Sequence, residues 1–505
     1  MSLVTARAAS AGLTLVFLTG CASTSPRSGF SDVAKNVEAR TGHRVVWDQN
    51  TTEDREVTKA IDDLLAKDVT ADTAVQVALL GSPRLRGSFE ELSVAQSDLV
   101  QAGLLKNPVF TVGSTAWDRE HISPNLFASV EQDFLDIVSM PMRKRVAATE
   151  LEATRLEVGD EVLRLAAEVR SAFFMAEAAL QVAAMRRLVN ETAEISASVA
   201  KSQSAAGNMS DLALSGELAL ASQTRIDLKR SEGEAAVERE RLTKLMGVWG
   251  TRTAWKSSAH LPDLPDQEVS LERLEALAIE KRLDVGAARR EVQALDYSLS
   301  LSKTTRWTGM VTVNVEAGRL RGSKRIAFGP SVGLEIPLFD QRQAAIARLE
   351  AFQRQAENNL QALSIDVRSD VRAARVRVTT SRALVEEFSR TMVPLRESVV
   401  RLTQQQYDAM LLGVYQLLQA RQMEFDTYRQ YIEALRDYWI ARSDLERAVG
   451  MRLAVAKGDA PHDHDHDHPQ GTPPSGKPAS SSPAPVTVPV PAPAGTANPH
   501  EGHSK

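Results

Sequence analysis

Two short alternating segments, NPVFTVGSTAW (107–117) and NLFASVEQDFLDI (125–137), stand directly before a very long helical run. From Met142 to Ser204 the chain contains no proline and a single glycine, Gly159. A helix over this range would be roughly 95 Å long, whereas typical helices have about 8–20 residues. Small and apolar residues recur with the four-three spacing of a helix that packs along its length: Val158, Val162, Leu165, Val169, Ala172, Ala176, Ala179 and Ala183.

The second half of the chain repeats this order of elements, which predicts a duplicated unit. In the first repeat (71–250) we expect strands at 107–117 and 125–137, a long helix at 142–204 and a return helix at 211–246. After a linker (251–268), the second repeat (269–452) has strands at 307–318 and 326–340, a long helix at 341–412 and a return helix at 415–449. Glu131 and Asp136 match Glu335 and Asp340, and Pro394 is expected to kink or break the second long helix.

Composition excludes several classes of protein. Charge is nearly balanced, with 60 basic and 65 acidic residues, so nothing favours nucleic-acid binding. The single cysteine excludes an internal disulfide and a thiolate metal cage. His43, His121 and His260 are isolated, and the chain shows neither a nucleophile elbow nor a phosphate loop. We therefore expect no enzymatic activity and no cofactor.

The amino terminus resembles a bacterial lipoprotein signal. Arg7 is followed by the apolar stretch AGLTLVFL (11–18), and then by Leu18-Thr19-Gly20-Cys21, which resembles a lipobox. The resemblance implies that residues 1–20 are removed and that Cys21 carries the lipid. Acyl chains anchor a protein because each buried CH₂ contributes about 0.8 kcal/mol. The alternative is an ordinary signal peptide followed by a free cysteine. Residues 21–70 are interpreted as a spacer.

Four strands per chain cannot close a transmembrane barrel, since the smallest have about eight strands and an open sheet edge cannot face lipid. If these strands cross a membrane, several chains must share one barrel. Three chains would supply twelve strands, and their long helices would form a twelve-helix cylinder. The predicted fold class is therefore mainly α with a small membrane β part. As a trimer, the chain would form a 12-stranded β-barrel continued by a 12-helix α-barrel.

The chain up to about residue 452 resembles the TolC-type outer-membrane efflux channels, nearest the CusC/CzcC-like heavy-metal branch. Besides the lipobox, the resemblance rests on LLKNPVF (104–110), EIPLFD (335–340), AAGNMSDLALS (205–215) and LLGVYQLLQAR (411–421). It implies a lipid-anchored homotrimer in the outer membrane with a periplasmic helical part. It also implies a periplasmic adaptor and an inner-membrane pump of the resistance-nodulation-division type as partners.

The two helix-to-helix turns, at Gly207 and at its predicted counterpart Gly413, are the candidate gate, because a ring of like groups around a three-fold axis sets ion selectivity. The family places acidic residues about two helical turns after the second turn, where this chain has Gln419 and Gln422, so that acidic ring is not matched. For Asp211 a helix cap, and for Asp408 a solvated helix face, are the alternative interpretations. The gate candidates are Gly207, Asp211, Tyr407, Asp408, Gly413, Tyr415, Gln419 and Gln422.

The tail (453–505) is rich in proline, alanine, serine and histidine and cannot bury enough apolar surface to fold. Alternating imidazole and carboxylate groups suit Zn, Cu or Ni, so we expect loose metal binding without a fixed geometry. The alternative is a solvated linker. The histidines concerned are His462, His464, His466, His468, His500 and His503.

Two functions remain open from the sequence. The first is a passive export duct, carrying either heavy-metal cations or organic solutes. The second is a structural lipoprotein coiled coil that spans the periplasm, which would account for the long helices but not for the hairpins or the duplication.

Overall fold

The computed structural model describes residues 27–453, except for 28, 48–51, 116–124, 259, 269–270, 308 and 320–324. The signal segment, Cys21 and the histidine-rich tail therefore lie outside the described residues. The elements that precede and form the first repeat are α1 (Phe30–Thr41), α2 (Thr52–Leu65), α3 (Ala71–Gly81), α4 (Pro83–Ala102), β1 (Val109–Thr115), β2 (Asn125–Asp133), α5 (Leu135–Ala205) and α6 (Asp211–Met246).

A short 3-10 turn (Gly250–Ala254) leads into the second repeat. Its elements are α7 (Leu274–Lys281), α8 (Leu283–Thr304), β3 (Val311–Arg319), β4 (Ile326–Leu334), α9 (Gln343–Glu387), a π-turn (Phe388–Met392), α10 (Val393–Asp408) and α11 (Val414–Val449). The mainly helical class with one small sheet and a duplicated unit is confirmed. Among the helices of these residues, none has both the length and the apolar composition needed to cross a bilayer.

The first long helix begins at Leu135, before the predicted start at Met142, and β2 ends at Asp133 rather than at 137. Asp133 Oδ1 accepts a hydrogen bond from the Leu135 backbone N–H at 3.0 Å, so one of the amide groups at the start of the helix is satisfied there. Pro141 consequently lies inside the helix.

The second hairpin also differs from its predicted bounds. β3 starts at Val311 instead of 307, because α8 continues to Thr304 and a turn follows it. β4 ends at Leu334 instead of 340. Residues 335–340 thus form a separate link between β4 and α9, and no such link separates β2 from α5.

The expected break at Pro394 takes a milder form. Proline lacks an N–H and its ring crowds the carbonyl four residues earlier, so an α-helix cannot pass it unchanged. The π-turn at Phe388–Met392 widens the backbone just before it, and α10 continues with Pro394 in its first turn. The long run then stops at Asp408, short of the predicted 412.

The segment predicted to be a spacer (21–70) is folded into the core over its described part. Trp47 is only 1% exposed, and its ring lies 5.6 Å from that of Phe30 and 6.1 Å from that of Phe89. The contact partners are far apart in sequence, so local composition could not reveal them.

The return helices end in the same way in both repeats. α6 ends at Gly247 and α11 at Gly450, both left-handed, with φ of +70° and +85°. A Cβ built on Gly247 would lie 3.1 Å from Ser82 Cα, where α3 joins α4. A Cβ on Gly450 would lie 3.1 Å from Arg282 Cα, where α7 joins α8. The carboxyl end of each return helix therefore packs against the junction between two consecutive helices, α3 and α4 for α6, and α7 and α8 for α11.

Ion pairs show that α5 and α11 run in opposite directions. Arg170 pairs with Glu446 at 2.6 Å, and farther along α5 Arg186 approaches Asp426, earlier in α11, at 3.8 Å. Because the order is reversed, the carboxyl end of α5 and the amino end of α11 lie at the same end of the molecule. The two helix-to-helix turns therefore share that end.

Candidate membrane-facing sheet and helical tips

The four strands form one antiparallel sheet in the order β1-β2-β3-β4. The pairing places Phe110 opposite Val130, Val130 opposite Val315, and Val315 opposite Pro330. Because side chains alternate along a strand, this register defines two faces. We call the one that contains these residues the apolar face: Phe110, Val112, Ser114, Leu126, Ala128, Val130, Gln132, Val311, Val313, Val315, Ala317, Arg319, Ile326, Phe328, Pro330, Val332 and Leu334.

The opposite face is polar or small. We call it the polar face, and it carries threonine, serine, asparagine, glycine and acidic residues, including Glu131 and Glu316. Its one large ring, Phe127, pairs with Gly113 on one side and Gly318 on the other. A Cβ on Gly113 would collide with the outer atoms of the Phe127 ring, which lies over the glycine and would have to shift.

Both edges of the sheet are open within the described chain, since β1 pairs only with β2 and β4 only with β3. The edge strands are apolar on one face and carry no lysine or glutamate within their bounds. Such an edge is a template for another strand. The arrangement thus requires either a partner strand or water along β1 and β4.

The first tip joins α5 to α6. Gly207 has a left-handed φ of +75°, its N–H donates to Ser204 O, and the Asn208 N–H donates to Gln203 O. Ser210 then caps α6, because its hydroxyl accepts a hydrogen bond from Ala213 N at 3.3 Å. Asp211 is therefore not the cap; it is the first residue of the helix, where a negative charge is favourable.

The second tip has the same backbone path at an offset of 203 residues. Met410 has a φ of +58°, its N–H donates to Tyr407 O, and the Leu411 N–H donates to Gln406 O. Met410 thus occupies the place of Gly207. The prediction that Gly413 is the counterpart of Gly207 is wrong: Gly413 lies at the cap position, where the first tip has Ser210.

The two tips consequently differ in chemistry. At the turn itself the first tip presents Asn208 and Ser210, and Asp211 and Leu212, which is 82% exposed, follow in α6. The second tip presents Met410, 93% exposed, and Leu411, 75% exposed, at the turn. A left-handed conformation costs a non-glycine residue about 1–2 kcal/mol. The second tip is therefore the strained and apolar one, which sequence reasoning missed because a methionine gives no signal for a left-handed turn.

The other predicted tip residues are spread along the helices. Asp408 Oδ1 accepts a hydrogen bond from Gln404 Nε2 at 2.9 Å, and Tyr407 is partly exposed. Gln419 and Gln422 are exposed on α11, and the side chain of Tyr415 lies outside the described residues. An acidic residue absent from the prediction, Glu424, is buried one turn later and pairs with Arg421 at 3.1 Å.

Away from the tips, Asp72 contacts residues from both the beginning and the end of the described chain. Its carboxylate lies 3.5 Å from His43 Nε2 and 3.2 Å from both Arg170 and Arg452. The nearby His43 imidazole and the two guanidinium groups hold the pKa of Asp72 well below its usual range. A cleft of about 770 Å³ lies beside it. In the part of the chain that the structure covers, no group of three His, Cys, Asp or Glu residues has the arrangement of a metal site.

Comparison with known proteins agrees with this geometry. Residues 274–451 match the family model described as outer membrane efflux protein. No curated protein matches the chain.

Three solved structures share the fold. A membrane protein from Pseudomonas aeruginosa is 19% identical with a TM-score of 0.66, over 76% of this chain and 93% of that one. CusC is 14% identical with a TM-score of 0.63, over 76% and 92%. VceC, from Vibrio cholerae, is 16% identical with a TM-score of 0.62, over 75% and 96%. The second repeat therefore matches the outer membrane efflux protein family, and the described chain has the fold of the outer-membrane channels, which confirms the resemblance to TolC-type channels.

Proposed function

We propose that this chain is one subunit of a homotrimeric exit duct in the bacterial outer membrane. It would passively conduct substrate received from a periplasmic adaptor and an inner-membrane pump of the resistance-nodulation-division type. The family match over 274–451 and the shared fold support this function. The role is conduction, with no chemical step.

The observation that carries the proposal is the open sheet with one apolar face. In lipid every backbone N–H and C=O must be bonded, so the bare edges of β1 and β4 cannot remain open there. Pairing β4 of one copy with β1 of the next satisfies both edges at once. Three copies then close a twelve-stranded barrel whose apolar face meets lipid and whose polar face lines the lumen.

The helices supply the rest of the duct. α5 has 71 residues, which corresponds to roughly 105 Å. Each copy contributes α5, α6, α9–α10 and α11, which gives twelve helical columns in the trimer. The tips at 206–210 and 409–413 lie at the far end of these helices and would surround the periplasmic entrance, with Tyr407, Asp408 and Asp211 near it.

Conductance measurement tests this function directly. The purified protein should run as a heat-labile trimer and should insert into planar bilayers with stepwise ion conductance. A matched pair of variants sharpens the test: Val112→Arg places a charge on the apolar face, and Thr111→Arg places it on the polar face. Only the first should abolish insertion, because a charge facing lipid costs about 2–4 kcal/mol. A rod-shaped protein without conductance would instead support the structural lipoprotein.

Heavy-metal cations are the proposed substrate, as opposed to organic solutes. The supporting features are the two exposed carboxylates of the polar face, Glu131 and Glu316, and the six histidines of the tail. We propose that the tail, which lies outside the described residues, collects Zn, Cu or Ni loosely. Deletion of 459–505 should reduce divalent-metal binding in calorimetry while the trimer stays intact. A variant with asparagine at His462, His464, His466 and His468 is the matched control for tail length. Unchanged metal binding in both variants would contradict the proposal.

A further inference from the structure

The chain contains an internal copy of the junction that three subunits would need. β1 and β2 form the hairpin of the first repeat, and β3 and β4 form that of the second. The pair β2–β3 therefore joins the second strand of one repeat to the first strand of another. In the proposed trimer, on which this inference rests, β4 and β1 of the next copy meet in the same relation.

Equivalent positions in the two hairpins can be assigned. At the base of the first hairpin Val109 is paired with Glu131, and at the base of the second the Glu335 N–H donates to Met310 O at 2.9 Å. Met310 follows Val109 by 201 residues, and Glu335 follows Glu131 by 204. The same two offsets place Thr111-Val112 on Thr312-Val313 and keep each apolar face on the same side of the sheet.

Applied to the β2–β3 pair, these offsets predict the register in which β4 of one subunit pairs with β1 of the next. Gln132 pairs with Val313 inside the chain, and the offsets carry this pair to Ile336 and Val112. We propose that β4 and residues 335–338 of one copy pair with β1 of the next copy in this register. Ile336 then lies opposite Val112, Leu334 opposite Ser114, and Leu338 opposite Phe110. Every one of these positions continues the apolar face.

The positions of two prolines agree with the register. Pro337 corresponds to Asp133. In the internal junction the neighbouring Phe134 N–H donates to Val311 O at 2.8 Å. Because hydrogen-bonded and non-bonded pairs alternate, the Asp133 N–H does not face β3, so Pro337 loses no bond to the next copy. Pro330 would correspond to a partner position beyond Thr115, where β1 ends.

Exposure identifies the same segment. Ile336 is 66% exposed and Leu338 is 70% exposed. Their counterparts in the first repeat are less exposed: Gln132, which pairs with β3, is half-buried, and Phe134 is 42% exposed. The Leu338 N–H bonds back to Ile336 O at 2.9 Å, a local contact that pairing would exchange for the Phe110 carbonyl of the next copy. The exposed apolar residues after β4 thus form one side of the proposed junction, and β1 of the next copy forms the other side.

Cysteine cross-linking tests the register. Ile336→Cys is combined in one chain with Val112→Cys, with Phe110→Cys or with Ser114→Cys, and membranes are oxidised. The single-cysteine variants are controls that also report any link through Cys21. The Val112 pair should give covalent dimers and trimers in about tenfold excess over the other two, because a disulfide requires Cα atoms within about 7 Å. If one of the other pairs dominates, the register is wrong although the trimer stands. If no pair is linked in inserted protein, the side-by-side assembly of the proposed function fails as well.

A second measurement does not depend on disulfide geometry. Leu338→Asn removes an apolar contact from the proposed junction, and Leu212→Asn makes the same change at an exposed position in the first turn of α6, at the other end of the helices. The first should lower the temperature at which the trimer dissociates in detergent, and the second should leave it unchanged. Equal dissociation temperatures for the two variants would overturn the role of this segment.

Discussion

The joint between α11 and the α7–α8 pair offers a sharp test of the fold. Gly450 has a φ of +85°, and a Cβ there would lie 3.1 Å from both Cα and Cγ of Arg282. Replacing it by alanine imposes the left-handed conformation on a residue with a side chain, at about 1–2 kcal/mol. Crowding against backbone, which cannot move aside as a side chain does, adds about 1–3 kcal/mol. We therefore expect Gly450→Ala to lower the free energy of unfolding by about 2–5 kcal/mol.

Gly233→Ala is the matched control. Gly233 lies inside α6 with open space where a Cβ would be, so alanine should stabilise that helix by about 0.5–1 kcal/mol. Thermal unfolding in detergent, followed by circular dichroism, compares the two variants under identical conditions. Gly247→Ala should behave like Gly450→Ala, since its Cβ would meet Ser82 and Pro83. If Gly450→Ala unfolds at the same temperature as Gly233→Ala, the close packing of α11 on the α7–α8 joint is refuted.

Three further predictions concern the second tip, the carboxylate of Asp72 and the cysteine at position 21. Met410→Gly should relieve the left-handed strain of the second tip, which costs about 1–2 kcal/mol, although glycine also loses more backbone entropy on folding. Proteolytic cleavage at the second tip should therefore be slower in the variant. Faster cleavage would contradict the strain at Met410. Asp72→Asn should lower the thermal midpoint at pH 7. The pKa of Asp72 is lowered by His43 and two arginines, so its stabilisation is present above the pKa of the unfolded chain, about 3.9, and is lost as pH falls toward the folded-state pKa. The gap between wild type and variant should therefore narrow below about pH 4, and a gap independent of pH would exclude this linkage. Cys21→Ser should abolish the mass increment of lipidation and release the amino terminus from lipid, while an identical mass for both proteins would show that the lipobox resemblance misleads.

Periodicity and spacing predicted the hairpins, the long helices and the duplication because these features are local or repeat at a fixed interval. Contacts between residues that are far apart in the sequence could not be predicted in this way. Trp47 packs among Phe30 and Phe89, and no local pattern marks a segment that folds onto a distant helix. The helix starts at Leu135, whose N–H donates to the Asp133 carboxylate, and it continues through Pro141, which the sequence pattern predicts to lie outside it.

The second tip shows a different limit of sequence reasoning. Glycine is the usual residue of a left-handed turn, so the sequence predicts that Gly413 is the counterpart of Gly207. The structure keeps the backbone path but moves it three residues, onto Met410. Conformation was conserved between the repeats where residue type was not.

The unlike chemistry of the two tips has a consequence for symmetry. Because each repeat supplies one hairpin of helices, the proposed trimer presents six tips around its entrance. If the six tips were identical, a docking partner would find the same contacts after every rotation by a sixth of a turn. Polar tips with Asn208 and Ser210 instead alternate with apolar tips that carry Met410 and Leu411. Only rotations by a third of a turn restore the same contacts. In the proposed trimer the duplication would thus build a nearly six-fold cylinder. The difference in a few residues at its rim would return it to three-fold symmetry and would give a docking partner a defined rotational position.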